Sequence, residues 1–194
     1  MFAELLRQKL NGLVAVTRKQ IEALEAHYGL LLRWNRVLNL TSVDSLEDAV
    51  ERHYAESLFL AIHLPGGPVS IADVGSGAGF PGIPVAVFRP DCSVTLIEGH
   101  VRKAAFLREA TRQYSNVRVV PRRAESVGEH FDVATSRAVS YKDLTPVLQA
   151  MCKRADLLTG EEAPPLELGF DWQEPIHLPW GRQRFLRTGV SRET

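Results

Sequence analysis

The stretch IADVGSGAGFPGIP, Ile71 to Pro84, carries four glycines within eight residues: Gly75, Gly77, Gly79 and Gly82. It follows an apolar run that ends in an acid, Asp73. Each glycine gives up backbone order on folding. Such a cluster is expected where a chain turns sharply from strand to helix and where something must approach bare backbone. A loop in that place lies past the carboxyl end of a strand, where an open parallel sheet binds its ligands. The helix that follows points free N–H groups and a positive dipole end at the same spot. Pro81 and Pro84 suit its first turn, where no N–H is needed for a helical hydrogen bond.

Outward from this loop the chain alternates strand and helix. VSIADV (69–74), SVTLIE (93–98), VRVV (117–120) and FDVATS (131–136) are short and rich in apolar and β-branched residues. A compact apolar helix is predicted near 82–88 and an amphipathic one near 101–114. Another helix near 144–151 and a strand near 155–160 continue the series. This pitch implies parallel strands joined by right-handed crossovers, with helices on both faces of the sheet. Upstream the chain is helical. Thr17 and Gln20 have capping-box spacing, and Ile21, Leu24, Tyr28 and Leu31 recur at helical steps. A second helical stretch starts near Ser45 and runs to Ile62. LPGGP (64–68) breaks the pattern. The expected organisation is an N-terminal helical cap over 1–64 and an α/β domain over 65–194, together one compact unit. The last thirty residues are expected to be irregular, with one edge strand near 183–188.

Bulk properties exclude more than they select. The 194 residues carry 23 Lys plus Arg against 23 Asp plus Glu, a formal net charge of zero. Global charge therefore favours no partner. Cys92 and Cys152 are far apart and lack the spacing of a disulfide framework or metal site. No metal is expected, and the cysteine usage suits a reducing cytoplasm. The amino-terminal MFAELLRQKLNGL mixes charge with apolar residues, unlike a leader or membrane span. A soluble monomer without a membrane partner is the expectation.

Two ligands suit the glycine loop. Gly77-x-Gly79-x-x-Gly82 has dinucleotide spacing, and Glu98 lies about 20 residues on, where a ribose-binding acid belongs. Asp73-x-Gly75-x-Gly77-x-Gly79 is instead the acid-first loop of enzymes that use S-adenosylmethionine. A carboxylate at the strand end would repel a pyrophosphate and attract the cationic amino acid end of that cofactor. The second reading is preferred. Glu98 could then accept from both ribose hydroxyls, and the backbone N–H groups of Ala124 and Glu125, past the third strand, could meet an adenine edge.

These residues together resemble a known family, the bacterial small-subunit ribosomal RNA methyltransferases that modify guanine N7 (glucose-inhibited division protein B-like). RWNRVLNLTSV (33–43) is similar to its Trp-Asn…Asn-Leu-Thr signature. RHYAESL (52–58) is similar to its Arg-His…Asp-Ser element, with Glu56 where Asp is usual. DVGSGAGFPGIP, RRAE (122–125) and SRA (136–138) resemble its strand-end elements. The resemblance runs from the N-terminal helices to about Ala150. It implies a Rossmann-like class I methyltransferase fold with a mostly parallel seven-stranded sheet and S-adenosylmethionine as cofactor. It implies that Gly75 and Phe80 contact that cofactor, that Glu98 holds the ribose, and that Ala124 and Glu125 hold the adenine. Arg137 would line and order the cofactor and substrate cleft, and Asn39, Arg52 and His53 would face or support it. The chain departs from the family at the fifth strand, where Thr159 replaces the Lys of a Lys-Gly pair. It departs again in its acid-rich tail from Glu161 to Glu174.

Guanine N7 carries an exposed lone pair, so its methylation needs no general base, and no Ser/His/Asp or Cys/His set stands out in the chain. Positioning and exclusion of water should supply the rate. His53 is expected to support the cap rather than to take a proton. The implied partner is 16S ribosomal RNA or a small-subunit precursor. Seven basic residues against one acid between Arg102 and Arg123 offer it a local positive surface. Arg102, Lys103, Arg122 and Arg123 are the candidate contacts. Other readings stay open from the residues: a methyltransferase for a small molecule or protein, a cofactor-binding protein with little or no RNA activity, and an NAD-dependent oxidoreductase.

Overall fold

The computed structural model describes residues 1–164 and 169–192. Glu167, one of the acids of the tail, lies outside these. The chain begins with helices α1 (Phe2–Leu10), α2 (Arg18–Asn35) and α3 (Leu46–Ala49), a π-helical turn at Val50–Ala55, and α4 (Glu56–His63). Strands and helices then alternate: β1 (Ser70–Val74), α5 (Gly82–Phe88), β2 (Ser93–Ile97), α6 (Val101–Ala110) and β3 (Val117–Val120). A 3₁₀ turn at Ala124–Ser126 leads to β4 (Phe131–Arg137), α7 (Tyr141–Met151) and β5 (Cys152–Thr159). The tail adds β6 (Phe170–Trp172), β7 (Ile176–His177) and β8 (Phe185–Ser191).

The helix starts follow from local chemistry. Thr17 Oγ1 accepts the Gln20 N–H at 3.2 Å while Gln20 Oε1 accepts the Thr17 N–H at 2.8 Å, the reciprocal capping box of α2. Gln20 also donates from Nε2 to the Val87 and Phe88 carbonyls, which otherwise end α5 without partners. Ser45 and Ser140 cap α3 and α7 through the N–H groups of Asp48 and Asp143.

The sheet runs β3-β2-β1-β4-β5-β8-β6. Pairings among β1 to β5 are parallel, and those of β8 are antiparallel. β6 and β7 occupy successive parts of the same edge of β8, so an eight-stranded sheet is seven rows wide. The tail therefore corrects the expectation of one edge strand. β8 is interior, paired to β5 along Arg154–Thr159 and to β6 and β7 on its other side. A hydroxyl–carboxylate bond from Thr188 to the buried Asp156, 2.6 Å, fastens it. Periodicity alone misses this because an antiparallel partner from the far end of the chain leaves no local mark.

Alternation across the pleat divides the core. Ile71, Leu96, Val133 and Leu158 join one apolar cluster, and Ala72, Ile97, Ala134 and Leu157 join another. The second is closed mainly by α7. The first is shared among α1, α2, α4, α5 and α6, so the cap forms the helical layer on that face of the sheet. Tyr54, Leu58 and Leu60 of the cap are fully buried in it. One shared core predicts one cooperative transition. Leu60→Ala should lower the unfolding free energy by about 2–5 kcal/mol, and far-ultraviolet dichroism and tryptophan fluorescence should still lose signal together in urea.

Candidate active site

The loop between β1 and α5 is held by hydrogen bonds that use almost every polar group near it. The Gly75 and Ser76 N–H groups both donate to the Ile97 carbonyl, at 3.0 and 3.1 Å. Glu98 Oε2 accepts the Gly77 N–H at 2.9 Å, and its Oε1 accepts the His100 N–H at 2.8 Å. Asp73 Oδ2 accepts the Gly82 N–H at 3.0 Å, and Oδ1 accepts from the Thr135 hydroxyl at 3.4 Å. His27 Nε2 donates to the Ala78 carbonyl at 3.1 Å, and its Nδ1 accepts from the Tyr54 hydroxyl at 3.0 Å. The bend is thus formed in advance, with carboxylates at both ends and a cap histidine beneath.

The glycines differ in what they are for. Gly75 and Gly77 have φ of +71° and +55°, and both retain exposure to solvent. A Cβ at Gly77 would meet nothing closer than 3.8 Å, so open space faces it. Gly79 and Gly82 are buried. A Cβ on Gly79 would lie 2.4 Å from Ile83, and one on Gly82 would lie 2.3 Å from Leu96 and 2.6 Å from Asp73. These two let α5 settle on the sheet.

Three residues expected at the cofactor face inward in this packing. Asp73 is fully buried, and its carboxylate is spent on Gly82 and Thr135 rather than offered to a ligand. Burial pushes its pKa up to about 6, against the hydrogen bonds that favour the charge. Gly79 faces its own helix. Phe80 is buried beneath the loop, stacked on His53 at 4.5 Å and edge-on to Tyr54 at 5.1 Å, with the Arg137 guanidinium 5.4 Å over its ring. The sequence marks these residues by their neighbourhood but not by which side they face. Glu98 differs. Its oxygens also accept one donor each, but unlike Asp73 it keeps some exposure, so its spare acceptor sites at the end of β2 are within reach of hydroxyls. Ala124 and Glu125 form the turn after β3, the next strand end along the same edge.

On the other side of β1 a cleft of ≈ 880 Å³ opens past β4 and β5. The cap supplies Arg52, His53 and Glu56 to its wall, the β4 end supplies Arg137 to Val139, and the tail supplies Leu178 and Arg184. Ala138 has φ +57°, a left-handed conformation unfavourable for a residue with a Cβ. It turns Val139 towards the loop, where a Cβ on Gly75 would meet the Val139 methyl at 2.8 Å. The glycine bend and the cleft are therefore adjacent. Nothing in the residues SRA signals that turn.

Part of the charge in this cleft is buried. Arg137 Nη1 donates to the Arg52 carbonyl at 2.5 Å. Burial draws the guanidinium's pKa down, opposed by Glu56 and Asp73. Glu56 is ion-paired with Arg184. Its burial raises the pKa to about 7, and the Arg184 and Arg137 charges pull the other way. Arg184 also reaches Glu51 at 3.3 Å, and Trp180 Nε1 donates to the Lys9 carbonyl at 3.2 Å, so the tail is latched to the cap. His53 is held at Nε2 by the Thr41 hydroxyl, 2.8 Å away, and burial drops its pKa to about 3. Of the other expected cap residues, Arg52 lines the cleft, while Asn39 is exposed and not part of its wall. The organising asparagine is Asn35. Its Oδ1 accepts the Leu40 and Thr41 N–H groups and its Nδ2 donates to the Thr41 carbonyl. Arg184 and Glu56 were missed as a pair because no local pattern links residues so far apart.

The basic run splits. Arg102 and Lys103 begin α6 and Arg122 and Arg123 follow β3, so all four sit at the strand-end edge that holds the loop. Arg108 and Arg112 lie about two turns further along the helix, roughly 10–15 Å away from that edge. Arg118 is paired with Glu129 at 2.6 Å. At the fifth strand end, Thr159 Oγ1 accepts from Arg187 Nε at 3.1 Å. Among the described residues no group of three or more His, Cys, Asp or Glu could hold a metal ion, and no helix is long and apolar enough to cross a membrane.

Comparison with known proteins bears on this arrangement. Residues 20–158 match the family described as GidB, rRNA small subunit methyltransferase G. The chain belongs to this family. Its GidB relatives include proteins named ribosomal RNA small subunit methyltransferase G from three bacteria. That of Halorhodospira halophila is 44% identical over 123 residues, 62% of this chain and 58% of the relative. That of Chromobacterium violaceum is 41% identical over 140 residues, 70% and 66%. That of Roseiflexus castenholzii is 39% identical over 145 residues, 71% and 62%. The chain thus spans about three fifths of the length of the curated relatives it matches. Among solved structures, a Pyrococcus furiosus methyltransferase is similar with TM-score 0.57 at 16% identity, over 86% of this chain and 96% of that one. An Aquifex aeolicus SAM dependent methyltransferase gives 0.57 at 13%, over 74% and 93%. The Methanococcus jannaschii fibrillarin pre-rRNA processing protein gives 0.55 at 17%, over 69% and 74%. At such identity these likenesses speak for the fold, that of the class I S-adenosylmethionine-dependent methyltransferases.

The buried groups predict how stability varies with pH. His27 and His53, drawn down to about 4 and 3, are neutral in the fold. Their contribution is present above pH 6.5 and is lost as pH falls towards those values. Asp73 and Glu56, raised to about 6 and 7, act oppositely: their contribution is full below about pH 4 and is lost as pH rises through 6 and 7. Glu56→Gln removes part of the opposing effect. Between pH 7 and pH 5 its urea midpoint should therefore fall more steeply than that of the unaltered protein.

Proposed function

We propose that this chain methylates N7 of a guanine in 16S ribosomal RNA, with S-adenosylmethionine as donor. The observation that carries the reading is the adjacency of two sites. A preformed glycine bend with Glu98 beside it abuts, through Val139, a cleft walled by the helical cap. Family membership supports the reaction class and the RNA.

The residues present fit the donor. Gly77 leaves open space, and Gly75 and Gly77 supply left-handed backbone, where an amino acid moiety would lie. Glu98 has acceptor capacity for a ribose, and the turn at Ala124 and Glu125 follows at the next strand end. When bound, the donor supplies an electrophilic methyl group on a sulfonium. The chain's part is to hold the nucleophile in line and exclude water. N7 needs no deprotonation, which agrees with a His53 whose burial keeps it neutral and whose Nε2 is engaged by Thr41. Arg137, fixed between the Arg52 carbonyl and the Phe80 ring, orders the junction of the two sites as a positioning residue. Arg102, Lys103, Arg122 and Arg123 offer charge to phosphates along the same edge. N7 is poorly reached in the deep major groove of an A-form helix, so the target guanine belongs to a loop or to incompletely assembled RNA.

Thr159 in place of the family's lysine favours a second reading, a donor-binding protein of weak RNA activity. Mass spectrometry of 16S RNA from cells lacking the protein separates the two. Loss of one N7-methylguanine supports methylation, and an unchanged RNA overturns it. Gly77→Val should reduce donor binding below calorimetric detection while costing only about 1–2 kcal/mol of stability, the strain of a side chain in the left-handed region. Unchanged affinity would remove the bend from the site.

A further inference from the structure

Two polar groups in the cleft wall have no role in donor binding. Glu56 opens α4 immediately after the π-helical turn, and such turns recur at functional positions because they re-aim the side chains that follow. Its Oε1 is ion-paired with Arg184 but is a buried oxygen with no hydrogen bond among the described residues, and the side chain lines the cleft. His53 lies one turn earlier on the same side. Thr41 Oγ1 accepts the Val43 N–H at 3.1 Å, which leaves its own proton free to go to His53 Nε2. The neutral ring then carries its proton on Nδ1. That nitrogen is buried and makes no hydrogen bond of good geometry among the described residues, although the Arg52 carbonyl, which accepts from Arg137, also lies near it.

The wall therefore holds one N–H donor and one carboxylate just beneath its surface, on successive helical segments packed into the core. Guanine's Watson–Crick edge is the complement: the O6 acceptor, then the N1–H and N2–H donors. Adenine reverses the first two positions, and uracil lacks the second donor. We propose that Glu56 and His53 read that edge of the target base, Glu56 accepting from N1–H and N2–H and His53 Nδ1 donating to O6. This rests on the methyltransferase reading above and names how the same cleft chooses its base. N7, on the adjoining edge, is left free for the β4 end. A wrong base would leave two buried polar groups unpaired, which discriminates more strongly than shape does.

The test is a chemical double-mutant cycle. A small-subunit RNA fragment carries either guanosine or inosine, which lacks the N2 amine, at the methylated position. For the unaltered protein inosine should lower kcat/KM roughly ten- to a hundredfold, the discrimination expected of a paired contact. Glu56→Ala should lose a similar factor on guanosine, and its inosine penalty should shrink to about twofold. Glu56→Asp should restore part of the preference. His53→Phe, which keeps the stack on Phe80, should lower kcat/KM on guanosine while donor affinity is unchanged. If Glu56→Ala does not fold, Glu56→Gln keeps the Arg184 contact and should show a reduced penalty. An inosine penalty as large in the Glu56 variants as in the unaltered protein overturns the assignment. Failure of the unaltered protein to methylate guanosine in any small-subunit RNA would instead overturn the function itself.

Discussion

A single buried hydrogen bond, from the Gly82 N–H to the Asp73 carboxylate, closes the bend on which both sites depend. It joins the penultimate residue of β1 to the first turn of α5, across a loop whose other polar contacts include Ile97, Glu98 and the cap. The helix N-terminus favours the negative charge, and burial resists it. The carboxylate is thus held inside the fold, where it fixes the path of the bend. Gly75 and Gly77 are left facing outward because Gly79 and Gly82 take the inward packing.

The helical cap contributes more than a lid. Its helices complete one face of the sheet, and the same elements bring His27 under the loop and His53 and Glu56 into the cleft wall. Buried titratable groups of opposite tendency gather there: two histidines held neutral and two acids pushed up in pKa. The tail closes the arrangement from the other end. Arg184 neutralises Glu56 and Glu51, and Trp180 rests against Phe59 and the end of α1. At the end of β5, Thr159 accepts from Arg187 of β8, so the tail meets the cleft at two points.

Much of this was legible in the chain. The glycine spacing placed the bend, and the strand–helix rhythm placed β1 to β5 because parallel strands joined by crossovers are each marked locally. Thr17 and Gln20 announced α2. The π-helical turn was not legible, since its residues look like an ordinary helix. The role of β8 was hidden because antiparallel pairing to β5 joins segments with no shared local pattern. Within the site, residue identity was easier to find than residue direction. Asp73, Gly79 and Phe80 stand at the right place in the sequence and face the core, and Asn35, not Asn39, holds the cap loop.

By itself, then, the sequence determined the fold class, the place of the bend and the family, because glycine spacing, caps and strand periodicity are local properties of the backbone. Only the tertiary structure decided which glycines keep exposure to solvent, that the cap is a structural layer of the sheet, and that Glu56 meets Arg184 beside Arg137. Those facts depend on which surfaces are buried against one another, and burial is a relation between distant residues that no local pattern encodes.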